Sequence, residues 1–159
     1  MESHSHHHHH ATKPLQPSKQ VSHFKLAMSA TIHCLLGCGL GEIAGMIIAT
    51  AIGLNMINAT ILGVMLGFVA GLALGTIPLI RSKFTLGQAL KTVVIAEGLS
   101  IVVMETFEVI TQAVIPGVMT ASLADPVFWL GMIASLIVGF VAAFPVNYVL
   151  VKKGIRHYH

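Results

Sequence analysis

Residues 33–46 read HCLLGCGLGEIAGM and place Cys34, Cys38, Glu42 and Met46 at a repeat of four. On an α-helix that spacing forms one slowly drifting stripe, and Gly37, Gly41 and Gly45 form the stripe beside it. His33 lies at one end of the glycine stripe. Two thiols, a carboxylate and a thioether share one face of an otherwise apolar segment, next to a groove that a second backbone can enter closely. The stretch therefore predicts a membrane-embedded helix that contributes to a cation site.

The apolar context extends through the chain. Of 159 residues, 55% are hydrophobic and 9% charged, against about 25% charged in soluble domains, and the mean hydropathy is +0.82. This composition predicts an integral membrane protein, one all-α domain of several spans. A pI near 9.1 raises nucleic acid as a partner. The basic residues, however, sit at the ends of apolar segments and not on an amphipathic face with interleaved aromatics, which excludes it. Cys34 and Cys38, four apart on one helix, diverge too far for an unstrained disulfide and read as thiols.

Four helices are expected. The first span covers about 26–53, between Lys25 and the turn Gly53-Leu54-Asn55, and the second 57–80, ending at Pro78 and the basic Arg81-Ser82-Lys83. Both exceed the ~20 residues needed to cross a bilayer. Thr85 and Gln88 form a capping-box pattern that opens a third helix over 86–115, closed by Pro116-Gly117. Asp125 as N-cap and Pro126 at the first helical position open a fourth over 126–152. Alternating ten-residue segments are absent, so barrel strands have no support. Residues 1–23 are polar, contain Pro14 and Pro17, and predict a disordered tail. Its run His6 to His10 reads as an expression tag, with a native metal-buffering segment as the alternative. A cleavable signal peptide is not evident, because no small-residue cleavage site follows a short apolar core.

All nine Lys and Arg fall on one side of this scheme: Lys13, Lys19 and Lys25 before span one, Arg81, Lys83 and Lys91 between spans two and three, and Lys152, Lys153 and Arg156 after span four. The positive-inside rule then makes both termini cytoplasmic, in a multi-pass protein of the plasma (inner) membrane. Phe128 and Trp129 fall at the outer interface and Tyr148 near the inner one. Span two carries Gly63, Gly67, Gly71 and Gly75, and span four Gly131, Ser135, Gly139 and Ala143. These small-xxx-small ridges, a glycine zipper, predict that the glycine face of span one packs on that of span two, with homo-oligomerisation as their other use.

Span three holds the second unusual set. At 100° per residue, Glu97, Ile101, Met104, Glu105, Glu108 and Gln112 fall within roughly a third of the helix circumference. With Glu42 they make four intramembrane glutamates, and no Lys or Arg lies deeper than Lys91. An acidic residue near the bilayer centre costs on the order of 2.5–3.5 kcal/mol on insertion scales, so four without a basic partner imply bound protons or cations. Counting outward from Lys25 and Lys91, Cys34 matches Glu97 in depth, Cys38 and Met104 come next, and Glu42 is level with Glu105 and just below Glu108. If spans one and three are neighbours, His33, Cys34, Cys38, Glu42, Met46, Glu97, Met104, Glu105 and Glu108 form a column of candidate metal ligands. Plainer roles compete: cysteines and methionines pack cores, His33 suits the interface, Asp125 is a cap, and Asn147 with Pro145 is a local kink. The sequence has no Ser/His/Asp set, phosphate-binding glycine loop, HExxH or Glu-x-x-His pair, and the chain is not expected to be an enzyme.

HCLLGCGLGEIAGM in span one, IAEGLSIVVMETFE in span three, and DPVFW with FPVNYVLVKKG in span four resemble an uncharacterised family of small prokaryotic four-span membrane proteins, a domain of unknown function. The likeness covers about Phe24 to His159 and implies the four-span fold, but carries no activity. The function expected here therefore rests on ligand chemistry. Thiolate and thioether favour copper or another soft ion such as zinc, while the carboxylates favour protons, so a mixed column predicts cation binding and translocation. The alternative is a metal-free proton-coupled permease or a membrane assembly (scaffold) subunit recruited through the glycine faces.

Overall fold

The computed structural model describes residues 22–153 and is an all-helical bundle: α1 (His23–Ala51), α2 (Met56–Arg81), α3 (Leu86–Val114), a short 3-10 turn (Val118–Thr120) and α4 (Pro126–Lys152). The histidine run, Lys13, Lys19 and Arg156 lie outside the described residues.

Local chemistry sets the helix ends. α1 stops where Gly53 takes φ +69°; the Leu54 amide then donates to the Ala49 carbonyl and the Gly53 amide to that of Thr50. That pair of bonds is a Schellman closure. α2 ends the same way, with Phe84 donating to Leu79 and Lys83 to Ile80, although Lys83 must adopt the left-handed φ of 69° that normally favours glycine. Asn55 caps α2 through its side chain, and the expected capping box of Thr85 and Gln88 opens α3. Asp125 occupies the N-cap position of α4 with Pro126 behind it, but its side chain makes no cap hydrogen bond. The cap expected there is thus positional, and proline pre-sets the first turn. α4 continues through Pro145.

The helices form a ring. α1 packs most extensively on α2, α3 on α4, and the ring closes through α1 with α4 and α2 with α3; α1 and α3 face each other across one diagonal and meet there, more closely than α2 and α4 do across the other. The contact between spans one and three on which a ligand column depends is thus a diagonal one across the bundle axis. The glycine seam is the reason. A Cβ built on Gly37 would lie 2.6 Å from the Cα of Gly71, one on Gly45 2.5 Å from that of Gly63, and one on Gly41 would meet the Gly67 backbone. Glycine alone permits this approach, so α1 gives its glycine face to α2, as the sequence predicts.

Burial is inverted relative to a soluble bundle. Inside lie Ala27, Ala30, Cys34, Cys38, Ser100, Ser135 and the glutamates, whereas Leu36, Leu40, Ile61, Val69, Leu130 and Ile137 face outward. Such a surface requires lipid around it. Three helices, α1, α2 and α4, are long and apolar enough to cross a membrane. α3 is as long as α1, and many of its outward side chains, among them Leu90, Ile95, Leu99, Val102 and Ile110, are equally apolar; its glutamates, Ser100 and Gln112 face inward.

Candidate functional site

α1 and α3 each turn their polar stripe toward the bundle axis, and there Glu42, Glu105 and Glu108 converge. One carboxyl oxygen from each lies within 4.8 Å of the others. All three side chains are buried, Glu108 completely and the other two to 4% exposure. Glutamate helps the diagonal meeting: its long arm reaches the axis from helices whose backbones approach each other over only a short stretch.

The groups around the cluster leave it short of partners. Gln112 Nε2 donates to Glu42 Oε2 at 3.5 Å and to Ser135 Oγ at 3.3 Å, and the Ser135 hydroxyl donates to the Met132 carbonyl at 2.9 Å. Neither oxygen of Glu105 nor of Glu108 has a well-formed hydrogen bond, although the Cys38 thiol approaches the Glu105 carboxyl. Every described Lys and Arg is exposed. Two unit charges 4.8 Å apart repel by about 3.5 kcal/mol even at an effective dielectric of ~20, so the trio must share protons or hold a cation.

Glycines on the neighbouring helices make room for the acids. A Cβ on Gly139 of α4 would lie 2.7 Å from Glu108 Oε1, one on Gly67 of α2 would strike Glu105 Oε1, and one on Gly75 would lie 2.7 Å from Glu97 Oε2. Sequence reasoning assigns these glycines to backbone packing. They also shape the space that the carboxyl groups occupy, and nothing short of tertiary placement could reveal that.

One turn toward the lysine-bearing end, Cys34, Cys38 and Met104 lie with Ile101 and Ala143 in a fully buried knot. Both thiols are free, and Cys38 contacts Cys34 as well as Glu105. Three sulfur atoms thus sit below three carboxyl groups. Deeper still, Asn147 Nδ2 donates to Thr31 Oγ1 at 2.9 Å, a buried α4–α1 bond, while the Thr31 hydroxyl donates to Ala27 O at 2.8 Å. The position where a local kink is expected thus also carries an interhelical strut; a lone polar residue five positions from the end of a span is a weak sign of it.

The remaining sequence-derived candidates are dispersed. Glu97 is buried against Gly75, nearer the lysine-bearing end than the cluster. His33 is half-buried and lines a shallow groove along α1 with Lys25, Met28 and Ser29. Met46 is half-buried at the opposite end and lines a separate cavity. The structure therefore resolves the expected column into a carboxylate trio with a sulfur knot beneath it, and sets His33 to one side.

Comparison with known proteins gives one match. The family model described as domain of unknown function (DUF4396) matches residues 23–156. Neither the curated proteins nor the solved structures contain a match to this chain.

Proposed function

The chain belongs to the DUF4396 family, a domain of unknown function, and from that premise we propose that it binds a transition-metal cation inside the bundle and passes it along the axis. The observation that carries this reading is the meeting of Glu42, Glu105 and Glu108 within 4.8 Å in a lipid-facing bundle whose described basic residues are all exposed. Metal–oxygen distances of ~2.0–2.2 Å in a tetrahedral site set ligand oxygens roughly 3.3–3.6 Å apart, so a pair at the 4.8 Å limit closes by about 1.2–1.5 Å, a shift within reach of glutamate rotamers. The adjacent sulfur knot favours a soft or borderline ion, copper first and zinc second. Displacement of shared protons by the ion would couple its movement to pH, because carboxylates must be deprotonated to ligate. The role proposed is transport without catalysis.

The test is copper and zinc uptake by the full-length protein in proteoliposomes at two pH values. Glu105→Gln and Glu108→Gln keep the shape but cannot ionise, and each should slow uptake by about tenfold or more. Normal uptake in both variants overturns the proposal. Proton flux without metal uptake in the parent would instead establish the metal-free permease.

The reading includes orientation. α3 makes the fourth crossing, and both termini are cytoplasmic in a plasma-membrane protein, a reading supported by the one-sided Lys and Arg. Single cysteines at Asn58 and Ser122, in a Cys34→Ser, Cys38→Ser background, should react with an impermeant reagent from outside intact cells. Protection of both positions would reverse the topology.

A further inference from the structure

At the lysine-free end of the bundle a cavity of about 320 Å³ opens between α1, α2, α4 and the 3-10 turn. Four methionines line it: Met46 from α1, Met56 from the start of α2, Met119 from the 3-10 turn and Met132 from α4. They are half of the eight in the chain, drawn from four separate segments, so no local motif announces them. Methionine commonly fills gaps in a core. These instead border open space, which a gap-filler would have closed.

The lining narrows the ligand. No Lys, Arg, His, Asp or Glu borders the cavity, and its polar groups are threonine hydroxyls and the Gln112 amide. An anion would find no countercharge, and a hard cation would find no carboxylate. Thioethers are uncharged, polarisable donors that suit copper(I) and its redox-inert analogue silver(I), whereas zinc is ordinarily held by thiolate, imidazole or carboxylate and magnesium by oxygen. Gln112 forms the inner boundary, because the amide that borders the cavity also donates to Glu42.

We propose that this cavity is a thioether docking site for a soft monovalent cation of the copper(I) type, with Met46, Met56, Met119 and Met132 as donors and Gln112 standing between it and the carboxylate trio. Onward passage from the cavity rests on the transport reading above; binding in the cavity does not. A thioether has no proton to lose, so binding here persists in acid, whereas carboxylate, thiolate and imidazole sites weaken as protons compete.

The experiment is methionine footprinting of the full-length protein in detergent at pH about 5, where histidines are protonated, in chloride-free buffer with dilute peroxide. Silver(I) should slow sulfoxide formation several-fold at Met46, Met56, Met119 and Met132, and leave Met28 and Met65 unchanged. Met56→Leu with Met119→Leu and Met132→Leu nearly conserves volume and should remove the protection of Met46. Met119→Leu alone, on the connecting turn, should weaken protection of the other three if the triple variant does not fold. Equal oxidation with and without silver(I) overturns the site, as does undiminished protection of Met46 in the folded triple variant. Glu105→Gln should retain the footprint while losing uptake, so failure of the cavity and failure of the transport path are read separately.

Discussion

The two stripes of α1 share one helix, one repeat and nearly one composition of neighbours, yet they meet opposite fates. Gly37, Gly41 and Gly45 press against the Gly71, Gly67 and Gly63 backbones of α2, where a single added methyl has no room. Cys34, Cys38 and Glu42, on the adjacent stripe, face an axis whose far wall is the diagonal helix. Close packing on one side fixes the helix; the looser diagonal on the other leaves space for Glu105 and Glu108, whose oxygens have no well-formed hydrogen bond. The lesson is that small residues do two jobs here. Between α1 and α2 they admit backbone, and at Gly67, Gly75 and Gly139 they admit acidic side chains.

The strongest way to break this comparison is to put bulk into the seam away from the carboxylates. Gly45→Leu should destabilise the bundle by on the order of 3 kcal/mol or prevent its assembly, since backbone cannot retreat as a side chain can. Gly98→Ala is the contrast, because a Cβ there meets only Val94 at an ordinary 3.8 Å, and it should be neutral or slightly stabilising. Reversible unfolding in detergent measures both. Equal behaviour of the two variants would mean that the seam is not the anchor.

A smaller effect is expected where the axis is held by a hydrogen bond. Asn147→Leu removes the bond to Thr31, whose hydroxyl keeps its bond to Ala27. The expected loss is about 0.6–1.7 kcal/mol, the range for interhelical bonds inside membranes. A loss as large as that of Gly45→Leu would show that polar struts, and not the glycine seam, organise α1.

Much of the fold was legible because it depends on local pattern. Apolar run length marks the helices, Thr85 with Gln88 and Gly53 mark their ends, and the spacing of Gly37, Gly41 and Gly45 against Gly63, Gly67 and Gly71 predicts the seam. The acidic face of α3 was legible for the same reason, as a 3.6-residue periodicity of a costly residue. Hydropathy alone would pass over α3, whose glutamates and Lys91 dilute an outward face as apolar as its neighbours'. His33 shows the limit in the other direction: one helical position from Cys34 is about 100° of rotation, enough to turn a candidate ligand toward a surface groove.

The sequence by itself determined a helical, lipid-facing chain with small-residue ridges on three helices and polar stripes on two, since helix periodicity and transfer energy are properties of neighbours along the chain. Only the tertiary structure decided that α1 and α3 oppose each other across a diagonal, that Glu42, Glu105 and Glu108 nevertheless meet, and that Met46, Met56, Met119 and Met132 ring one cavity. Those juxtapositions join residues tens of positions apart, and they follow from how the four helices close into a ring around the α1–α2 seam, a property of the whole bundle that no single segment encodes.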